Sequence, residues 1–271
     1  MWGAHNKPDA DYIRKNLNHC RTVSTYMVRA DGGSCQNGWF NSATGGWEYE
    51  TTKQGYADWS TWSRGQAWAI YGFTASYRET GHPLCLETAE KMANYFIDRL
   101  PADYAPYWDF QAPNIPDEPR DSSAASIAAS AFLQLAKLTP DPVAGAKYWN
   151  AARNILVSLS APAPGPSVPA PYLAQNTSLA AILQHGTYYR GAPGEDIGLA
   201  WGDYYFLEAI ERYKALKVAP SDPAVTVTAS TPSVGESGPG TGRFRFSRTG
   251  SASQPLRVNF TVLSSATPDT D

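Results

Sequence analysis

The sequence predicts an all-α fold, an incomplete (α/α)6 barrel in which nested helices form a toroid, with a short β segment at its C-terminal end. Three observations predict it. Stretches opening near Ser60, Asp121 and Asp203 are apolar or small nearly all round, the composition of a helix covered on every side. Stretches opening at Pro8, Pro83 and Pro142 are amphipathic, with charges such as Lys15, Glu87, Lys91 and Lys147, and belong on an outer ring. The two kinds alternate along the chain with no convincing strand between them, which excludes a βαβ arrangement.

Taken in order, residues 7–28 make the first helix, with Pro8 suited to the first turn and Tyr12, Ile13, Leu17, Val23, Tyr26 and Met27 supplying apolar contacts. Residues 29–53, rich in Gly and Asn, are a loop or short hairpin. The next helix starts near Ser60 or Thr61, where a hydroxyl can accept from first-turn N–H groups, and runs to Thr80. His82-Pro83 opens a helix to Leu100. A proline-rich loop with Tyr104, Tyr107, Trp108 and Phe110 leads to Asp121, the N-cap of a small-residue helix reaching Lys137. Asp141-Pro142 opens another to Ser160, residues 172–184 give a shorter one, and residues 202–216 the last, with Asp203 at its cap. A closed toroid needs about twelve helices and these are about seven. Because the chain opens on an outer-type helix with no inner partner before Pro8, the N-terminal part of the barrel is expected to lie outside this sequence.

After Ala219 the pattern changes to runs of period two separated by Gly, Pro and Ser. Val225 and Val227, Phe244 and Phe246, and Leu256, Val258, Phe260 and Val262 each line one face. The expected organisation is therefore residues 1–218 as the C-terminal part of a barrel domain, 219–224 as linker and 225–271 as a partial β-sandwich, since three strands fall short of the roughly seven a sandwich needs.

Composition removes several function classes. The chain has 271 residues and a net charge of −3, so no basic excess points to nucleic acid. No run approaches the roughly twenty apolar residues of a membrane helix. Cys20, Cys35 and Cys85 have neither metal-ligand spacing nor the even number of a disulfide framework, and are expected as small buried side chains. No metal and no cofactor is predicted. Aromatics make up 13% of the chain, with nine Trp and sixteen Tyr, a surplus that suits either carbohydrate stacking or a packed helical core.

The stretch from Gln54 to Phe73 gathers polar, cationic and flat aromatic groups at a helix mouth. Trp62, Arg64 and Trp68 fall in the first two turns. A helix N-terminus together with a guanidinium suits a carboxylate, the indole faces suit the C–H side of a sugar ring, and Gln54 can donate and accept toward hydroxyls. That combination points to an acidic sugar. The competing reading keeps the tryptophans in the core and Arg64 on a solvated surface.

In this stretch Gln54, Gly55, Tyr56, Ala57, Asp58, Trp62, Arg64, Gly65, Gln66, Ala67 and Trp68 stand in register with the unsaturated glucuronyl hydrolases, glycoside hydrolase family 88, and the run resembles their corresponding segment. The resemblance implies hydration of the C4=C5 double bond of an unsaturated uronic acid at the non-reducing end of an oligosaccharide, after which a hemiketal opens and the glycosidic bond is lost. It implies an unsaturated uronic-acid oligosaccharide as partner, with no nucleic acid and no membrane. It places the proton-transferring aspartates before Met1, so no catalytic residue is assigned here, and Asp58, Asp109, Asp121, Asp196, Asp203, Glu79 and Glu208 are not put in their place. Glu79 and Glu208 are expected as solvated helix residues. His185, in QHGTYYRG, resembles the loop before the last inner helix, where Tyr188 is the better hydrogen-bonding group; Gln36 stands where many relatives have a substrate-facing histidine. The implied substrate-binding set is Gln54, Trp62, Arg64, Trp68, Gln36, Tyr188 and His185. Residues 225–271 resemble the opening half of a Calx-β domain, including SVGESGPGTGRFRFSRTG and SSATPDTD, with Glu236, Asp269 and Asp271 as possible calcium-loop remnants. Such a fusion favours an exported or surface location. The alternative function is a noncatalytic fragment that binds uronates or other carbohydrate, or an interaction partner, without turnover.

Overall fold

The computed structural model describes residues 10–161, 172–174, 178–216, 225–229 and 243–248. Six helices dominate them: α1 Ala10–Tyr26, α2 Ser63–Thr80, α3 Pro83–Ile97, α4 Ser122–Leu138, α5 Pro142–Ser160 and α6 Ala200–Leu216. A hairpin of β1 Asn37–Phe40 and β2 Trp47–Thr51 lies between α1 and α2, pairing antiparallel with Trp39 opposite Tyr49. Among the described residues helices dominate and strands come in two small pairs, the arrangement of an α/α-barrel-like fold.

Local chemistry explains where the helices begin. Asp121 caps α4 by accepting from the Ser123 and Ala124 N–H groups, while Asp141 caps α5 and His82 caps α3, each followed by a proline at the first helical position. Helix α2 differs from expectation. It opens at Ser63, after Trp62, and has no side-chain cap. The hydroxyls of Ser60 and Thr61 are recruited elsewhere: Ser60 Oγ donates to Ala57 O and to Asp109 Oδ2 at 2.7 Å, and Thr61 Oγ1 accepts from Arg29. At its other end α2 stops at Gly81, whose φ of 66° is the left-handed conformation of a helix C-terminus.

The alternation of inner and outer helices holds. The inner helix α4 packs against α2 on one side and α6 on the other, while α3 backs α2 and α5 backs α4. Between the inner helices, Glu208 of α6 accepts from Ser130 Oγ of α4 at 2.5 Å and from the Tyr71 hydroxyl of α2 at 3.1 Å, and Arg212 donates to Glu208, Tyr71 and the Ser130 carbonyl. Glu208 is therefore a crosslink of three helices and not the solvated residue expected. Glu79 is also mostly covered, its side chain 9% exposed beside Arg78. Cys20, Cys35 and Cys85 are buried free thiols, as expected.

Two further expectations change. The described residues within 172–184 form no helix; Leu173 and Leu183 bridge antiparallel, with Ala174 N donating to Ile182 O and Gln184 N to Tyr172 O. The last helix starts at Ala200, so Asp203 sits inside its first turn. Its carboxylate does not cap the helix but accepts from the Ile182 and Leu183 N–H groups, pinning the preceding segment to α6.

The chain divides into two units, Met1–Leu216 and Lys217–Asp271. In the second, β3 Val225–Ala229 pairs antiparallel with β4 Phe244–Arg248, setting Val227 opposite Phe246 and Ala229 opposite Phe244 on one face. The third expected strand, residues 256–262, and Glu236, Asp269 and Asp271 lie outside the described residues.

Candidate functional site

Three inner-helix N-termini meet at Arg64. The residue lies in the first turn of α2 and is 1% exposed. Its Nη1 donates to Asp121 Oδ2 at 2.5 Å, at the N-cap of α4, and to Thr187 O at 2.6 Å; Nη2 donates to Tyr188 O at 2.7 Å. Trp201, the second residue of α6, stands with its ring centroid 5.7 Å from the guanidinium carbon, alongside Tyr188 at 5.8 Å and Trp62 at 4.5 Å. A buried cation at this point opposes three aligned helix dipoles, each positive at its N-terminus, and is tolerable only because Asp121 neutralises it and two carbonyls accept its protons. Asp121 is fully buried and spends its other oxygen on the Ser123 N–H, the Ser123 hydroxyl and the Ala124 N–H.

The loop from His185 to Tyr188 is fastened to this pair from both sides. Ser122 N donates to His185 O at 3.1 Å, and Thr187 Oγ1 donates to Arg120 O at 2.8 Å. His185 takes a left-handed φ of 61° and its Nδ1 pairs with Asp196. From the hairpin side, Gln36 Oε1 accepts from Thr52 Oγ1 and from the Lys53 and Gln54 N–H groups, and its Nε2 donates to Gln54 Oε1 at 2.9 Å. Gln54 Nε2 then donates to Tyr188 O at 2.8 Å. One continuous relay thus runs Gln36, Gln54, Tyr188 carbonyl, Arg64, Asp121. An amide can serve as such a node because it donates and accepts at once, which a carboxylate cannot do.

The structure brings Gln36, Gln54, Trp62, Arg64, His185 and Tyr188 together and leaves Trp68 apart. Trp68, about one turn below Arg64 on α2, makes an edge contact with Tyr205 of α6 at 5.0 Å and packs on the core. Arg64 is neither the solvated surface group of one sequence reading nor a free anion receptor, since its charge is matched within the protein. Trp62 is 8% exposed, and one ring face carries the guanidinium. The indole N–H groups of Trp62 and Trp201 are buried with no acceptor among the described residues. Tyr188, 44% exposed, is the aromatic of this group most open to solvent.

Sequence reasoning missed Asp121 as the partner of Arg64, and Thr187 and Trp201 as neighbours. A signal existed for the first: both were placed at N-termini of inner helices, and a buried Arg at one such end requires an acid at the next. Trp201 carried no motif. Other carboxylates around the mouth are also held. Asp109 is fully buried, accepting from Tyr56 N at 3.0 Å, Ser60 Oγ and Gln111 N, and burial pushes its carboxyl up against the pull of those bonds. Asp58 accepts from Thr52 N at 2.7 Å. Glu118 is desolvated, which alone would raise its carboxyl, but donors from Trp108 and Asn114 and the charge of Arg190 bring it below the usual range. Among the described residues no group of His, Cys, Asp and Glu could hold a metal ion, and no helix is long and apolar enough to cross a membrane.

Comparison with known proteins places the helical part of the chain. No family model matches the sequence. The unsaturated glucuronyl hydrolase of Bacillus sp. (strain GL1) is 34% identical over 215 residues, 78% of this chain and 55% of that protein, and its crystal structure superposes with a TM-score of 0.69 over 80% of this chain and 55% of that one at 33% identity. An unsaturated chondroitin disaccharide hydrolase of Streptococcus pyogenes serotype M1 is 33% identical over 207 residues, 76% of this chain and 50% of its own. A variant unsaturated glucuronyl hydrolase of Streptococcus agalactiae, solved in complex with dGlcA-GalNAc6S, gives a TM-score of 0.63 at 33% identity over 79% of this chain and 55% of that one. The chain spans about half the length of the curated relatives it matches. Its homologues in sequence and its neighbours in structure are thus unsaturated glucuronyl hydrolases, proteins that act on unsaturated uronyl saccharides.

Proposed function

We propose that the mouth around Arg64 is the substrate-holding side of an unsaturated glucuronyl hydrolase site and that its ligand is the unsaturated uronate at the end of an oligosaccharide. The observation that carries this reading is the convergence of the N-termini of α2, α4 and α6, with Arg64 and Asp121 neutralising each other there. Their pairing cancels the two charges, and the N-terminus of α2, which has no side-chain cap, is left as the positive end that favours a carboxylate. Trp62, Trp201 and Tyr188 supply aromatic surface for the ring. Gln36, Gln54, Arg64, Asp121 and His185 act as positioning residues: they hold the Tyr188 loop and do not themselves carry the ligand.

The reaction itself adds a proton to C4 and a water oxygen to C5, giving a hemiketal that opens with loss of the glycosidic bond. It requires a carboxyl that can shuttle a proton at the double bond. Asp58, Asp109, Asp121 and Asp203 all accept backbone or side-chain hydrogen bonds that hold loops and helix ends in place, which supports binding without turnover by this chain alone. Calorimetric titration with an unsaturated uronyl disaccharide and its saturated counterpart, with the conjugated C=C absorbance followed in parallel, tests this. The expected result is binding of the unsaturated sugar only, with its absorbance retained, and a weakening of about 0.5–1.5 kcal/mol in Tyr188→Phe. Equal binding of both sugars, or cleavage of the saturated one, contradicts it.

A further inference from the structure

The segment 37–60, which rises from the mouth and returns to it, has an unusual make-up. It contains Trp39, Phe40, Trp47, Tyr49, Tyr56 and Trp59, and no Val, Leu, Ile or Met. Four of the six rings are strongly exposed: Trp39 at 51%, Tyr49 at 52%, Tyr56 at 45% and Trp59 at 61%. They form two pairs. Trp39 and Tyr49, opposite each other in the hairpin, lie with ring centroids 5.8 Å apart and planes within 20°, and Tyr56 meets Trp59 edge-on at 6.1 Å. By contrast Trp47 stacks on Tyr26 of α1 and Phe40 meets both rings edge-on, anchoring the hairpin from behind.

The exposed pairs are held in place. Trp39 Nε1 donates to Thr51 Oγ1 at 2.9 Å, fixing the indole along the strand. Asp58 accepts from Thr52 N, and its carbonyl accepts from Arg29, which also pairs with Glu50 at 3.1 Å, so the turn bearing Tyr56 and Trp59 is tied to the end of β2. Both ends of the hairpin continue directly into the relay: Gln36 precedes β1, and Thr52 to Gln54 follow β2. At the rise of a strand, Trp39 stands roughly 10 Å from Gln36.

We propose that these rings form a second saccharide-binding surface, continuous with the mouth, that holds sugar residues of the chain beyond the terminal uronate. Exposed aromatic surface of this extent calls for a ligand. Its partner has to offer flat C–H faces alternating with hydroxyls, because the surface is aromatic rings set among Asn, Thr, Glu and Lys with no aliphatic side chain larger than Ala. The core of a protein–protein interface is depleted in Glu and Lys, whereas Glu48, Glu50 and Lys53 stand between these rings. The inference rests on the proposed role of the mouth and specifies its substrate as an oligosaccharide longer than a disaccharide.

The test is a tryptophan-fluorescence titration of the chain with an unsaturated disaccharide and with an unsaturated hexasaccharide of the same repeat, on the wild type, Trp39→Ala, Trp59→Ala and the double variant, with near-ultraviolet circular dichroism to verify folding and Trp39→Tyr as the conservative control. The hexasaccharide is expected to bind about tenfold more tightly than the disaccharide, as stacking on one or two rings supplies. Each alanine variant reduces that advantage, the double variant abolishes it, Trp39→Tyr keeps most of it, and disaccharide affinity is unchanged throughout. Equal affinity for both lengths in the wild type, or an advantage that survives the double variant, overturns the platform. A dimer in light scattering that dissociates in the double variant assigns the rings to a second copy of the chain and overturns it equally. Loss of disaccharide binding alone, with the length advantage retained, overturns the reading of the mouth and not that of the platform.

Discussion

Helices α4 and α6 both belong to the inner ring and are both 17 residues long, yet α4 buries thirteen of its residues and α6 only Gly202, Phe206 and Ala209. Helix α4 has α2 on one flank, α6 on the other and α5 behind, and its Ala and Ser side chains let all three approach closely. Helix α6 packs chiefly on α4, and turns Tyr204 and Leu207, 59% and 49% exposed, to solvent. Burial of an inner helix thus follows both the number of flanks that are covered and its composition: α4 carries one charged residue, Lys137, and α6 carries five. The same contrast places the chemistry: the mouth forms where all three inner helices begin, at the ends best fixed by hydrogen bonds.

The contrast can be broken most severely at Arg64. Replacing it with Ala leaves Asp121 buried and unpaired at the head of α4, and denaturant unfolding should register a loss of about 3–5 kcal/mol. Arg64→Lys should recover only part, since one ammonium cannot reach Asp121 and both carbonyls in the fork geometry. Next, Phe132→Ala in α4 should cost about 3–5 kcal/mol by opening a cavity among Phe96, Tyr148 and their neighbours, whereas Leu207→Ala in α6 should stay within about 0.5 kcal/mol in the same assay. A large effect at Leu207 would mean that its face is covered in solution.

A smaller effect concerns pH. Asp109 has its carboxyl raised by burial, so between the ordinary carboxylate range and that raised value the folded protein retains a proton the unfolded chain has released. Its contribution to stability therefore falls as pH rises through that window. Glu118, held below the usual range, contributes the opposite slope: its stabilisation is complete above the unfolded value and lost as pH falls through the folded one. Thermal melts across the acid range should show Asp109→Asn flattening the first slope and Glu118→Gln the second.

Much of this architecture was legible in the sequence, and the exceptions share a cause. Capping residues followed by proline located the starts of α3 and α5 to the residue, because a cap is a local event. Ser60 and Thr61 misled for α2 because their hydroxyls serve Ala57, Asp109 and Arg29, two of which lie tens of residues away. Residues 172–184 are read from the sequence as a short helix, but Asp203 of α6 draws the Ile182 and Leu183 amides into an irregular segment. For the site, the residue types clustered at the helix mouth were readable, while their roles were not. Gln36, Gln54 and Arg64 look like ligand contacts in isolation and turn out to spend their polar atoms on one another, on Asp121 and on the Tyr188 carbonyl. Trp68 had the right spacing and the wrong depth.

The central claim is that the ring-lined mouth beside Arg64 receives the unsaturated uronate, and the indole protons test it most directly. In a 1H–15N spectrum of the tryptophan side chains, the Nε1–H signals of Trp62 and Trp201, which have no acceptor among the described residues, should shift on addition of the unsaturated disaccharide while that of Trp68 stays in place. If Trp62 and Trp201 remain unmoved at saturating sugar, the uronate binds elsewhere and the account is wrong.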